Sequence, residues 1–206
     1  MPKKKAKPKA KPRAMKPKRR ASPKEARSLG VKTHTPSSRE SRRPAPAPVK
    51  KTGGLKLLPE GSAAPEFSLP DATGKVWKLS DFRGKKVVLY FYPKDMTPGC
   101  TIQACDFRNN YKDIRKKNAI VIGVSVDPAQ SHKQFSDKHQ LNFTLLSDVN
   151  KDAVKKYGVW GEKSFLGYKY DGTFRITYII DETGKIAKVF DRVNPVGHAK
   201  QILESI

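Results

Sequence analysis

Apolar runs and apolar periodicity are confined to the part of the chain beyond about residue 54. There, Val87-Val88-Leu89-Tyr90-Phe91-Tyr92 is unbroken, rich in β-branched and aromatic side chains, and bounded by Gly84-Lys85-Lys86 and Pro93. That pattern predicts a central strand covered on both faces. Ala119 to Val126 reads as a second such strand. Between them, Cys100, Ala104, Phe107, Tyr111 and Ile114 fall on one face of a helix that ends near Lys117-Asn118.

The remaining elements follow from shorter signals. Glu66 to Leu69 and Val76 to Leu79 flank the turn cluster Asp71-Ala72-Thr73-Gly74 and predict a hairpin. Ser80 to Gly84 reads as a loop or one helical turn. Helices are predicted over Pro128–Gln140 and Lys151–Tyr157, the latter stopped by Gly158, with a strand at Phe143–Leu146 between them. Thr173–Ile180 and Lys185–Phe190 read as strands around the turn Asp181–Gly184, and a last helix starts near Val196 and takes Ile202 and Leu203 inward. This order predicts an α/β fold, a central mixed β-sheet flanked by helices.

Charge changes the picture of the first quarter. Residues 1–53 hold 19 Lys and Arg against 2 acids, a balance of +17, and only +7 of the net +24 belongs to residues 54–206. Nine of the 16 prolines also lie in that extension. Such a segment cannot bury enough apolar surface to offset its ordering entropy, so a disordered basic tail is expected before a domain at 54–206. Lysine-rich tails attract phosphates without sequence preference, which makes non-specific nucleic acid a candidate partner of residues 1–51. A nuclear-import signal at Lys16–Arg20, an organelle transit peptide or a merely solvated tail remain open.

Without a long uncharged apolar run or a signal-peptide h-region, no membrane association is expected. An intracellular location is predicted, cytoplasmic in a bacterium or nuclear in a eukaryote. Two cysteines are too few for a disulfide scaffold.

Both cysteines lie in Pro93-Lys94-Asp95-Met96-Thr97-Pro98-Gly99-Cys100-Thr101-Ile102-Gln103-Ala104-Cys105, between the predicted strand and helix. Thr97 suits the N-cap and Pro98 the first helical position, which places Cys100 at N3. Unpaired amides and the positive end of the helix dipole favour thiolate there. An intact helix separates the Cα atoms of residues five apart by about 8 to 9 Å. A disulfide needs about 4.4 to 6.8 Å, so joining this pair requires local unwinding. The spacing is not that of a zinc site, and neither a metal nor a cofactor is expected.

With Tyr90-Phe91-Tyr92-Pro93-Lys94, Thr97–Cys105, Asn142–Asp148, Gly158–Lys163 and Arg175–Asp181 in this order, the chain from about Leu55 to Ile206 resembles the peroxiredoxins, specifically the bacterioferritin-comigratory-protein or Q-type subgroup. The resemblance implies a thioredoxin-like fold and a thiol peroxidase acting on hydrogen peroxide and organic hydroperoxides. By the same resemblance Cys100 corresponds to the peroxidatic cysteine and Cys105 to the resolving cysteine of an intramolecular disulfide. Thr97 would hydrogen-bond sulfur and peroxide, Arg175 would stabilise the thiolate and Pro93 would shield the sulfur. Thioredoxin or a similar dithiol would recycle the enzyme, and a monomer is expected. Many members carry Glu where this chain has Gln103.

Other readings compete on the residues alone. Thr97 can be only an N-cap, and Arg175, in the alternating stretch Arg175-Ile176-Thr177-Tyr178, reads by periodicity as a solvated strand residue. His34, His132, His139 and His198 read as surface or capping residues, and Trp77 and Trp160 as core or loop anchors. A DNA-associated protein whose tail carries the main role and whose domain is a redox sensor is the alternative function. A disulfide oxidoreductase is disfavoured by the absence of a Cys-x-x-Cys pair.

Overall fold

The computed structural model describes residues 55–206. The basic extension, with His34, lies outside the described residues.

A short hairpin comes first, β1 (Ser68–Pro70) antiparallel to β2 (Val76–Lys78), followed by a 3-10 turn at Leu79–Phe82. Asp71 closes the hairpin from within. Its Oδ1 accepts from the Thr73 amide at 2.7 Å and from the Thr73 hydroxyl at 2.6 Å, while its Oδ2 accepts from Trp77 Nε1 at 2.8 Å. Gly74 takes the left-handed conformation that ends such a turn, at φ +88°. The same device recurs at Asp181-Glu182-Thr183-Gly184, where Asp181 Oδ1 accepts from the amide and hydroxyl of Thr183.

The main sheet contains β3 (Lys86–Phe91), β4 (Ala119–Ser125), β5 (Thr144–Ser147), β8 (Ile176–Ile180) and β9 (Ile186–Phe190) in the order β5-β4-β3-β8-β9. β3 pairs parallel with β4 and antiparallel with β8, so the predicted central strand is central. Its side chains alternate between two cores. Val87, Leu89 and Phe91 join Leu69, Val154, Tyr157 and Tyr178 on one face. Val88, Tyr90 and Tyr92 join Cys100, Phe107, Ile114, Phe135 and Ile202 on the other. Helices α1 (Pro98–Lys116), α2 (Ala129–His139) and α4 (His198–Leu203) contribute to the second core, and α3 (Asp152–Lys156) to the first. Gly123 on β4 leaves room for Tyr90: a Cβ there would lie 2.7 Å from the phenol oxygen and 2.6 Å from Leu145 Cδ2.

The expected elements are present, with two differences. A second hairpin, β6 (Trp160–Phe165) with β7 (Tyr168–Thr173), occupies a stretch in which the apolar pattern predicts no element. Its side chains are mostly exposed, so backbone pairing rather than an apolar face defines it. The predicted strand Thr173–Ile180 is accordingly two strands: Thr173 ends β7, and Phe174-Arg175 forms a break before β8 joins the main sheet. Among the described residues no helix is long and apolar enough to cross a membrane.

Candidate active site

The loop Pro93–Thr97 carries the chain from β3 to α1. Met96 adopts φ +60° and Thr97 is extended at the N-cap, with Pro98 at the first helical position. The first helical bond runs from the Thr101 amide to the Thr97 carbonyl at 2.9 Å. Cys100 therefore lies at N3, as predicted, and is 1 % exposed. The expected capping bond from Thr97 is not made, because its hydroxyl donates to the Lys94 carbonyl at 3.0 Å. That bond ties the loop to itself and leaves the first-turn amides around Cys100 without a side-chain partner from the N-cap.

Arg175 reaches the sulfur from just before the start of the neighbouring strand β8. Its Nη2 donates to Cys100 Sγ at 3.2 Å, and its Nη1 donates to Gln103 Oε1 one turn further along α1. The guanidinium thus spans both residues with its fork, a geometry that stabilises negative charge on sulfur. Periodicity places Arg175 in solvent on a strand, but it stands in the break between β7 and β8, half-buried over the helix terminus. Gly99 permits this approach, since a Cβ there would sit 3.3 Å from Arg175 Nη2 and 3.6 Å from Pro195 Cγ.

Gln103, one turn beyond Cys100, is fully buried, and its Nε2 has no hydrogen-bond partner. Lys163 on β6 donates to the Thr173 carbonyl at 2.8 Å, and burial together with the charge of Arg175 pushes its ammonium below the usual range. The second hairpin thus adds a cation near the site.

Cys105 is half-buried on the same continuous helix, and both cysteines are free thiols. The adjacent Asp106 accepts from the Ala199 amide at 2.8 Å, anchoring α1 to the start of α4. Pro93 is half-buried at the end of β3. The site residues Pro93, Thr97, Cys100 and Cys105 lie within one short stretch of the chain, and the fold brings Arg175 to them from a distance.

Two histidines expected at the surface are buried. His132 on α2 pairs with Asp95 at 2.8 Å with no side-chain exposure, and His198 at the start of α4 places Nε2 3.0 Å from the Thr177 hydroxyl. Among the described residues no group of three His, Cys, Asp or Glu side chains is placed to hold a metal.

A buried cysteine at a helix N-terminus under an arginine fork is a thiol poised for nucleophilic chemistry, and residues 61–189 match the AhpC/TSA family. The chain belongs to that family. Within it, the chain is a peroxiredoxin of the bacterioferritin-comigratory-protein or Q type. It is 48 % identical over 149 residues to peroxiredoxin Bcp of Escherichia coli, a match that covers 72 % of this chain and 96 % of the relative. The putative peroxiredoxin bcp of Helicobacter pylori is 43 % identical over 152 residues, covering 74 % and 100 %. Among solved structures, a cysteine-to-serine mutant of Xylella fastidiosa PrxQ superposes with a TM-score of 0.68 at 31 % identity, covering 71 % of this chain and 94 % of that one. The Xanthomonas campestris bacterioferritin comigratory protein, described for its alkyl peroxide reduction activity, gives 0.64 at 33 %, covering 67 % and 88 %. The thioredoxin-like fold and a thiol-dependent peroxidase activity follow for this peroxiredoxin. Its basic extension lies outside the matched residues.

Proposed function

We propose that this peroxiredoxin reduces hydrogen peroxide and alkyl hydroperoxides through Cys100, with Cys105 as the resolving thiol. The contact from Arg175 Nη2 to Cys100 Sγ at the terminus of α1 carries the assignment. Thiolate attack on the terminal peroxide oxygen breaks the O–O bond, leaves a sulfenic acid on Cys100 and releases an alkoxide or hydroxide that takes up a proton. Thr97 positions the peroxide, Pro93 shields the sulfur, and Arg175 stabilises charge on sulfur and on the cleaving bond. Cys105 then attacks the sulfenic sulfur, releasing water and forming the Cys100–Cys105 disulfide. Because the two lie five apart on one helix, that step unwinds the start of α1. A thioredoxin-type dithiol returns the enzyme to its reduced state, which suits a monomer in a reducing intracellular compartment.

The test is peroxide consumption coupled to thioredoxin, thioredoxin reductase and NADPH. Cys100→Ser is expected to abolish it, and Cys105→Ser to react once and then stall. Activity surviving in Cys100→Ser refutes the assignment, and normal turnover in Cys105→Ser removes Cys105 from it.

The balance of +17 on residues 1–53 supports a second, compatible reading, in which the extension tethers the peroxidase to nucleic acid.

A further inference from the structure

Asp95 lies in the loop that leads to Cys100, yet it is only 4 % exposed. A carboxylate so placed is expensive unless each oxygen is satisfied. Here Oδ1 accepts from the Tyr92 hydroxyl at 2.7 Å, and Oδ2 accepts from the Ser131 hydroxyl at 2.6 Å and from His132 Nδ1 at 2.8 Å. Burial by itself would raise the Asp95 carboxyl. The His132 hydrogen bond and charge, with Ser131 and Tyr92, more than offset this and hold it below the usual carboxylate value. Asp95 is therefore an anion.

The other ring nitrogen of His132 has a partner of its own. Nε2 lies 3.1 Å from the Leu146 carbonyl, which can only accept. The ring is thus held between two acceptors, the Asp95 carboxylate at Nδ1 and a main-chain carbonyl at Nε2. It joins the active-site loop to α2 and, through Leu146, to β5. A second tie comes from the Asp95 amide, which donates to Asp127 Oδ2 at 2.9 Å, and that oxygen also accepts from Ser125 Oγ at 2.7 Å.

No group in this network hydrogen-bonds to Cys100, and none takes part in the peroxide chemistry described above. All of it converges on one residue, two positions before the N-cap of α1. The loop has no strand or helix of its own to hold it, since it runs from the end of β3 to Thr97 through the left-handed Met96. Its position is set by what grips Asp95.

We propose that His132 is a positioning residue for the peroxidatic site: its ring, hydrogen-bonded through Nδ1, clamps Asp95 and thereby fixes Thr97 and the first turn of α1 around Cys100. The proposal rests on Cys100 being the attacking thiol. A clamp at this end of the loop also sets where unwinding stops, so the start of α1 opens for Cys105 while residues 93–95 stay docked. A displacement of about 1 Å at Thr97 or Cys100 matters, because rates of such reactions depend steeply on the alignment of the reacting atoms.

The experiment uses the full chain in a Cys105→Ser background, where Cys100 is the sole remaining thiol. The second-order rate constant with hydrogen peroxide is measured by stopped flow in a single turnover under excess peroxide, where the observed rate does not depend on the amount of active protein, so loss of folded protein alone does not move it. Asp95→Asn and His132→Leu are expected to lower this constant about tenfold, the scale of losing a hydrogen bond to a charged group. His132→Asn returns an N–H near the position of Nδ1 and is expected to recover most of the loss, a rescue that bulk packing would not give. If a single variant does not fold, the double variant Asp95→Asn/His132→Leu removes both partners together and avoids leaving the Asp95 carboxylate buried without its ring partner. A rate constant equal to that of the parent in any folded variant lacking the pair, or no recovery in His132→Asn, overturns the proposal. Loss of peroxide reaction in Cys100→Ser, run in parallel, shows that such a result bears on His132 and not on the identity of the attacking thiol.

Discussion

Arg175 Nη2 lies 3.2 Å from Cys100 Sγ although 75 positions separate the two residues in the chain. The contact depends on the break between β7 and β8, which turns Arg175 off the strand path and over the N-terminus of α1. The same guanidinium is held by Gln103, so its orientation is set by the helix that carries the thiol.

Replacing Arg175 by lysine tests that fork. An ammonium retains the charge but cannot present two donors in one plane, one to Cys100 and one to Gln103. Arg175→Lys is expected to lower the rate constant for reaction with hydrogen peroxide by about a hundredfold, the scale of removing one preorganised donor from developing negative charge. Stopped-flow measurement reads this directly, and a constant equal to that of the parent would show that charge alone suffices.

The burial of His198 gives a pH dependence with a defined sign. Burial pushes its imidazolium below the ordinary value, against smaller opposing contributions from Gln201 and Asp106. The unfolded chain therefore takes up this proton first, and stability is lost as the pH falls below about 6.5. His198→Gln has no such proton to bind. Melting temperatures of the two proteins followed from pH 7.5 to pH 5.5 should show the wild type losing ground to the variant on acidification. A difference that stays constant over this range would mean that His198 does not titrate between the folded and unfolded states.

The basic extension makes its own prediction. DNA binding by the full chain should weaken steeply with salt, with a logarithmic slope of about −0.9 per phosphate neutralised. A chain beginning at Gly54 keeps all the residues matched by the family and should bind weakly with little slope. Peroxidase activity should be equal in the two. Equal DNA affinity and slope across a salt series would remove the extension from nucleic-acid binding.

Much of the fold was legible because burial writes itself into local pattern. Val87–Tyr92 is apolar without a break, and Ala119–Val126 nearly so, since each strand is covered on both faces. Cys100, Ala104 and Phe107 recur at helical spacing because α1 presents one face to the sheet. The β6–β7 hairpin wrote no such pattern. Its apolar residues Leu166, Tyr168 and Tyr170 are exposed, and Trp160 is packed against the core as an isolated aromatic, so no alternation marks the pairing. Missing that hairpin is what merged Thr173 with Ile176–Ile180 and put Arg175 on a solvated strand.

The sequence by itself determined the strand-to-helix joint, the position of Cys100 in the first turn of α1 and the separation of Cys105 along it. These depend on residues within a few positions of one another, where helix geometry and capping preferences act directly. Only the tertiary structure decided that Arg175 meets the sulfur, that Gln103 is buried beneath it, and that His132 is a buried partner of Asp95 instead of a surface residue. Arg175 and His132 act through partners 75 and 37 positions away, and a polar side chain is recognisable as buried only once those partners are in place to satisfy it.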